Sequence, residues 1–145
     1  MMDERPVLDQ INLVVSDMDA AAEFYRALGV AIPDRDPLWD DDHRSAEVPG
    51  GLDFDLDSER FAPKWNAGFP GSQGRPGIVI GFRVGARSEV DRLYEKVIDA
   101  GYRGQQEPYD AFWGARYAIV EDPDGNAVGL MSPIDPERRS RPPDM

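Results

Sequence analysis

The chain of 145 residues contains no cysteine and a single histidine. The absence of cysteine excludes a disulfide framework, a thiolate metal site and a cysteine nucleophile. No apolar stretch approaches the roughly 18 residues of a membrane span, and the first ten residues lack the basic segment and apolar run of a signal peptide. We therefore expect a soluble, cytoplasmic protein.

Basic residues are scarce relative to acidic ones. The chain has 16 lysines and arginines against 28 aspartates and glutamates, so its formal net charge is −12. Such a surplus repels phosphate backbones and anionic lipid, which argues against nucleic acid and membranes as partners. It favours solubility and is compatible with a cationic ligand. The length predicts a single domain over residues 1–145.

The least ambiguous local pattern lies near the C-terminus. The segment DPDG at residues 122–125 has the residue types of a type I turn, and residues 116–121 and 127–131 on either side suit strands. A β-hairpin is therefore predicted here. Alternation divides its second strand into one face with Val128 and Leu130 and another with Ala127, Gly129 and Met131.

The order strand, helix, weak strand, hairpin occurs twice along the chain. Val15 precedes Val84 by the same number of residues as Tyr25 precedes Tyr94, and these pairs occupy equivalent places in the pattern. The repeat indicates two related units. It divides the chain into a first module at 8–57, a connection at 58–76, a second module at 77–132 and a tail at 133–145.

The two predicted helices carry start and stop signals. Ser16 or Asp17 is placed to cap the first helix, and Ser88 is placed to cap the second. Gly29 and Gly101 provide the left-handed residue that commonly ends a helix.

Three predicted strands have one apolar face and one mixed face. We expect the apolar face of each strand to pack against a helix, which leaves the other face free to form a site. The residues on these other faces are Gln10 and Asn12 in the first strand, Asp53, Asp55 and Asp57 in the first hairpin, and Val79, Gly81 and Arg83 at the start of the second module.

Two segments carry a family resemblance over roughly residues 8–132. INLVVSDMDAAAEFYRALG near the start and FWGARYAIVEDPDGNAVGL near the end make the chain similar to the vicinal oxygen chelate superfamily, which includes glyoxalase I, extradiol dioxygenases and bleomycin resistance proteins. The resemblance implies an α+β fold in which two tandem βαβββ modules form an open, cup-shaped mixed sheet. It also implies a homodimer.

Metal enzymes of this superfamily take their ligands from four cup-facing places, which the resemblance transfers to Gln10, Asp55, Val79 and Gly129. Valine and glycine have no side-chain donor, and a divalent catalytic centre normally needs about three N or O ligands from the protein. We therefore expect no metal and no other cofactor. A non-standard metal set of Gln10, Asp55 and His43 is kept as the alternative.

The cup-facing residues and nearby aromatic side chains predict a small-molecule site. No serine, histidine and acid arrangement is expected, because no partner for His43 is identifiable in the sequence. The candidate ligand-binding residues are Gln10, Asn12, Trp39, Asp53, Asp55, Arg83, Trp113, Arg116 and Met131.

Three functions are compatible with these residues. We favour a binding protein that sequesters an antibiotic or cationic metabolite in a metal-free cup. The second hypothesis is a lyase, isomerase or dioxygenase of the glyoxalase type, with the non-standard metal set or with the aspartates as acid and base. The third is a regulatory or interaction domain with a vestigial site.

Overall fold

Seven strands form one mixed sheet in a computed structural model that describes residues 5–27, 30–71, 77–121 and 125–145. The strand order is β2-β3-β1-β4-β7-β6-β5. The elements are β1 (Val7–Val15), α1 (Met18–Ala27), β2 (His43–Ala46), β3 (Asp53–Ser58), α2 (Ala62–Trp65), β4 (Gly77–Arg83), α3 (Arg87–Asp99), β5 (Gly104–Asp110), β6 (Arg116–Glu121), β7 (Ala127–Met131) and a 3-10 turn at Pro136–Arg138.

The pairing of the strands confirms the predicted duplication. The first strand of each module runs parallel to the last, β1 with β3 and β4 with β7, and the modules meet where β1 and β4 pair antiparallel. The weak strand predicted in the first module is reduced to a single bridge between Ala31 and Glu47. Pro33 and Pro37 lack the N–H that a longer ladder would require.

The helix ends agree with the sequence at Asp17 and Gly101 but not at Ser88. Asp17 caps α1, since its Oδ1 accepts a hydrogen bond of 3.0 Å from the backbone of Ala20. The prediction for Ser88 was wrong, because α3 already begins at Arg87 with Ala86 as its N-cap and no side-chain cap. Gly101 has the positive φ of 98° expected after α3. Gly29 and the turn residues 122–124 lie outside the described residues.

The convex face of the sheet carries the helices, as strand alternation predicted. Leu56 packs in a cluster with α1, and Leu130 packs in a second cluster with α3. Helix α1 packs on β3 and helix α3 on β5 to β7. The outer faces of β1 and β4 are less covered, and Leu8, Ile78 and Ile80 there are 49%, 44% and 38% exposed. Among the described residues no helix is long and apolar enough to cross a membrane.

The connection between the modules fills half of the concave face. Phe61, Ala62 and Trp65 are buried in one cluster with cup-facing residues of the second module, among them Val79 and Tyr117. The segment is also tied to the edge strand β5. Asn66 Nδ2 donates to Gln105 Oε1 at 2.7 Å, and the backbone N–H of Ala67 donates to Gln106 Oε1 at 2.8 Å. In the other direction, Tyr109 Oη donates to the carbonyl of Trp65 at 3.1 Å.

Candidate functional site

A cavity of about 290 Å³ remains over the concave face of the first module. Because the connection occupies the second module's half, one side of this cavity is polar and the other is aromatic. The lining residues are Gln10, Asn12, Trp39, His43, Ser45, Asp53, Asp55, Asp57, Phe61, Trp65, Phe112, Trp113, Tyr117, Met131 and Ile134.

The polar side of the cup is built from cross-strand pairs. The antiparallel register of β2 and β3 places His43 opposite Asp57 and Ser45 opposite Asp55. His43 Nδ1 lies 2.5 Å from Asp57 Oδ1, and His43 Nε2 lies 3.3 Å from Ser45 Oγ. From β1, Asn12 Nδ2 donates to the other oxygen of Asp57 at 3.0 Å. Asp57 therefore has partners on both of its carboxylate oxygens.

Burial perturbs the acid–base groups of this polar side. Burial raises the pKa of Asp55 to about 6, although the charge of His43 and a hydrogen bond from Ser45 act in the opposite direction. Burial on its own would lower the pKa of His43, but the hydrogen bond and charge of Asp57 outweigh it, so the pKa lies above its usual value. Asp57 therefore stabilises the protonated form of His43 relative to an exposed imidazole.

The opposite side of the cup consists of packed aromatic rings. Trp39 meets Phe61 edge-on with ring centroids 4.8 Å apart, and Phe112 meets Trp113 edge-on at 5.2 Å. The tail holds the loop that carries Phe112 and Trp113. The backbone N–H groups of Asp135 and Ser140 donate to the carbonyls of Gly114 and Phe112, each at 2.9 Å.

Comparison with known proteins identifies the family. A sequence model of the Glyoxalase/Bleomycin resistance protein/Dioxygenase superfamily matches residues 7–130. The chain belongs to this superfamily. No curated protein matches the sequence significantly.

Solved structures of the superfamily share the fold at low sequence identity. Methylmalonyl-CoA epimerase from Mycobacterium tuberculosis is 22% identical with a TM-score of 0.60, covering 93% of this chain and 94% of its own. A superfamily member from Vibrio splendidus 12B01 is 17% identical with a TM-score of 0.56, covering 88% and 97%. The Mn(II)-bound glyoxalase from Novosphingobium aromaticivorans is 19% identical with a TM-score of 0.57, covering 98% and 42%.

The metal places of the superfamily do not fit a metal ion in this chain. Val79 is buried in the apolar cluster beneath Trp65. At Gly129 a side chain would be crowded, since a Cβ there would lie 3.0 Å from the hydroxyl of Tyr117. Among the described residues, no group of three or more His, Asp or Glu side chains is placed to hold a metal ion.

Seven of the nine residues predicted to bind the ligand line the cup, and two arginines do not. Arg83 lies at the end of β4, where its Nη1 donates to Asp9 Oδ1 at 2.7 Å. Arg116 lies on the convex face of the sheet in β6, and its Nη2 donates to Asp91 on α3 at 2.9 Å. The prediction that these two side chains lie in the cup was wrong, because each finds a carboxylate outside it.

The pairing of His43 is the main feature that the sequence analysis missed. His43 lies at the start of β2, with Asp57 on one ring nitrogen and Ser45 on the other. The expectation that no serine, histidine and acid arrangement forms was therefore wrong. The signal was present in the sequence, because residues equally distant from Gly50 in the turn must face each other across the hairpin. His43 and Asp57 satisfy that condition, as do Ser45 and Asp55.

Proposed function

We propose that this protein binds a small organic molecule, with an apolar ring and a positively charged group, in a metal-free cup. The function would be sequestration or transport of an antibiotic or a cationic metabolite in the cytoplasm. The observation that carries this proposal is the division of the cup into an acidic side and an aromatic side.

The charges around the cup favour a cation. Three aspartates line the cavity, and among the described lining residues there is neither lysine nor arginine. His43 is hydrogen-bonded to Asp57, whereas Asp53 and Asp55 have no lysine or arginine beside them in the lining. A cation placed there gains from both carboxylates, and the rings of Trp39 and Trp113 offer faces for an aromatic body.

Three monosubstituted benzenes of similar size test this proposal. Isothermal titration at pH 7.5 should give binding of benzylamine, weaker binding of benzyl alcohol and none of benzoate, because the polar group on the ring is positive, neutral and negative in turn. At 100 times its Kd, benzylamine should stabilise the protein by about 2.7 kcal/mol in a thermal-shift measurement. Benzoate binding as tightly as benzylamine would contradict the proposal, and no response to any of the three would favour a vestigial site.

A second candidate function is metal-free proton transfer by an enzyme of the same fold. The observation that favours it is the pair formed by His43 Nδ1 and Asp57 Oδ1 at 2.5 Å, next to a carboxyl whose pKa is about 6. An acid or base works best when its pKa lies near the working pH, and Asp55 meets that condition.

Ring opening of 5-nitrobenzisoxazole provides a test of this second candidate. In that reaction the base takes the ring C–H proton, the N–O bond breaks and a coloured cyanophenolate forms. With Asp55 as the base, the rate should rise through pH 6 and level off above it, and Asp55→Asn should lower it about a hundredfold. An unchanged rate in Asp55→Asn would exclude Asp55 as the base.

We also propose that the chain forms a homodimer through the apolar strip of Leu8, Ile78 and Ile80. These side chains are exposed on the central strands between the two helices. A second copy could cover the strip with the same strip of its own, as a twofold axis requires.

A further inference from the structure

Two N–H donors in the cup converge on the sulfur of Met131. Gln10 Nε2 lies 3.4 Å from Met131 Sδ, and Trp113 Nε1 lies 3.3 Å from the same atom. The donors come from different modules, since Gln10 is on β1 and Trp113 is in the loop between β5 and β6. A thioether is a weak acceptor, so two good donors share one poor partner.

A glycine on the neighbouring strand sets the direction of the Gln10 side chain. Gln10 pairs with Gly81 on β4, and a Cβ on Gly81 would overlap the side-chain atoms of Gln10. The space above Gly81 therefore holds the Gln10 amide and brings it within reach of Met131.

A further indole donor in the cup has no partner. Trp65 lines the cavity and is 4% exposed, yet its Nε1 makes no hydrogen bond. Burying an N–H without a partner costs free energy, and most buried donors in proteins are satisfied. The aromatic side of the cup thus has more N–H donors than good acceptors, whereas the aspartates supply acceptors only on the polar side.

We propose that Gln10 and Trp113 form a subsite for an uncharged carbonyl oxygen of the ligand, which replaces the sulfur of Met131 as their acceptor. This inference rests on the proposed binding function and adds a second feature to its ligand, a ketone or amide group. A carboxylate would also accept from these donors, but the three aspartates of the cup disfavour any further negative charge there. Met131 can move aside because its side chain is flexible.

Substitution of the acceptor separates this subsite from the cation site. Met131→Leu keeps the volume but removes the sulfur, so Gln10 and Trp113 lose their internal acceptor. Acetophenone, which has a ring and a carbonyl but no charge, should then bind about threefold to tenfold more tightly than to the wild type, since each new hydrogen bond forms without breaking an old one. Met131 lines the cup, so its substitution acts on both ligands, whereas the freed donors act on the carbonyl alone. The readout is therefore the ratio of the acetophenone affinity to the benzylamine affinity, which should rise in Met131→Leu. Met18→Leu, a buried methionine on helix α1 outside the cup, is the matched control.

Nuclear magnetic resonance gives the affinities and reports on the donor directly. The chain has three tryptophans, so a ¹⁵N-labelled sample has three indole N–H signals, and Trp113→Phe identifies the one from Trp113. Acetophenone should shift that signal in the wild type and in Met131→Leu.

The possible outcomes separate the two proposals. If benzylamine binds but Met131→Leu does not raise the ratio of the acetophenone affinity to the benzylamine affinity, the carbonyl subsite is refuted and the cation site stands. If neither compound binds to the wild type, the proposed function fails and the subsite fails with it.

Discussion

Asp55 is a partly buried carboxyl in which stability and binding have opposite requirements. Its pKa is about 6 because burial penalises the charged form. The same charge, once formed, is available to a cationic ligand. A residue that costs stability and faces a cavity is typical of a functional position.

The affinity for a cation should depend on pH through Asp55. Benzylamine should bind less tightly as the pH falls from 7.5 to 5, because Asp55, whose pKa is about 6, becomes neutral. Asp55→Asn should lower the affinity at pH 7.5 about tenfold and flatten the part of the pH dependence near pH 6. Isothermal titration over this pH range measures both effects.

Asp41→Asn is the control for this experiment. Asp41 is an exposed carboxyl close in sequence to the cup residue Trp39, and it does not line the cavity. Asp41→Asn changes the net charge by the same amount as Asp55→Asn. A similar loss of benzylamine affinity in both variants would show that the net charge of the chain, and not Asp55, attracts the ligand.

Asp55→Asn should also stabilise the protein above pH 6. The folded pKa of Asp55 is raised from 3.8 to about 6, so its favourable contribution is complete below pH 3.8 and is lost as the pH rises through 6. Asp55→Asn should therefore increase the free energy of unfolding by up to about 3 kcal/mol at pH 7.5 and by little at pH 4. Urea denaturation at the two pH values measures the difference, and equal effects at both would contradict it.

At the scale of elements, the connection of residues 58–71 decides which part of the hollow is open. Its aromatic side chains cover β4, β6 and β7, and Tyr117 lies over Gly129. The second module's half of the cup, to which the family resemblance assigns two of the four metal places, is here part of the hydrophobic core.

A methyl group at position 129 tests this packing. Gly129→Ala should destabilise the protein by about 1 to 3 kcal/mol, since its Cβ would lie 3.0 Å from the Tyr117 hydroxyl in a packed region. Gly85→Ala is the control, because a Cβ there meets nothing within 4 Å. That control should be neutral or slightly stabilising. Equal melting temperatures of the two variants would show that Tyr117 does not fill the space above Gly129.

At the scale of the whole molecule, a strongly acidic chain exposes an apolar strip on its central strands. The net charge of −12 opposes close approach of two copies, whereas burial of Leu8, Ile78 and Ile80 favours it. Salt screens the repulsion between charges and leaves the apolar contribution intact. Any self-association should therefore strengthen with ionic strength.

Sedimentation velocity tests the proposed homodimer. The wild type should sediment as a dimer, and Ile80→Asp should sediment as a monomer with unchanged circular dichroism, because it places a charge in the middle of the strip. Leu38→Asp, at a position that is 91% exposed in a loop, should stay dimeric. A monomeric wild type, or a dimeric Ile80→Asp variant, would contradict the proposal.

The sequence by itself determined the two modules, the strand parity and most of the polar side of the cup. Alternation is a local property, so Gln10, Asn12, Asp53 and Asp55 could be assigned to the concave face from their neighbours alone. The symmetry of the hairpin about Gly50 also places His43 opposite Asp57. These features depend on residues close together in the chain.

Only the tertiary structure decided where the cup ends and which residues close it. Asn66 and Gln105 are 39 positions apart, and no local pattern predicts that their contact draws the connection over the second module. Arg83 was misplaced for the same reason, because its long side chain reaches the carboxylate of Asp9, 74 positions away. Arg116 lies on the convex face by the alternation of β6 itself, where it pairs with Asp91 on α3. Strand parity fixes the face from which a side chain starts, whereas the distant partners available in the fold fix where its charged end lies.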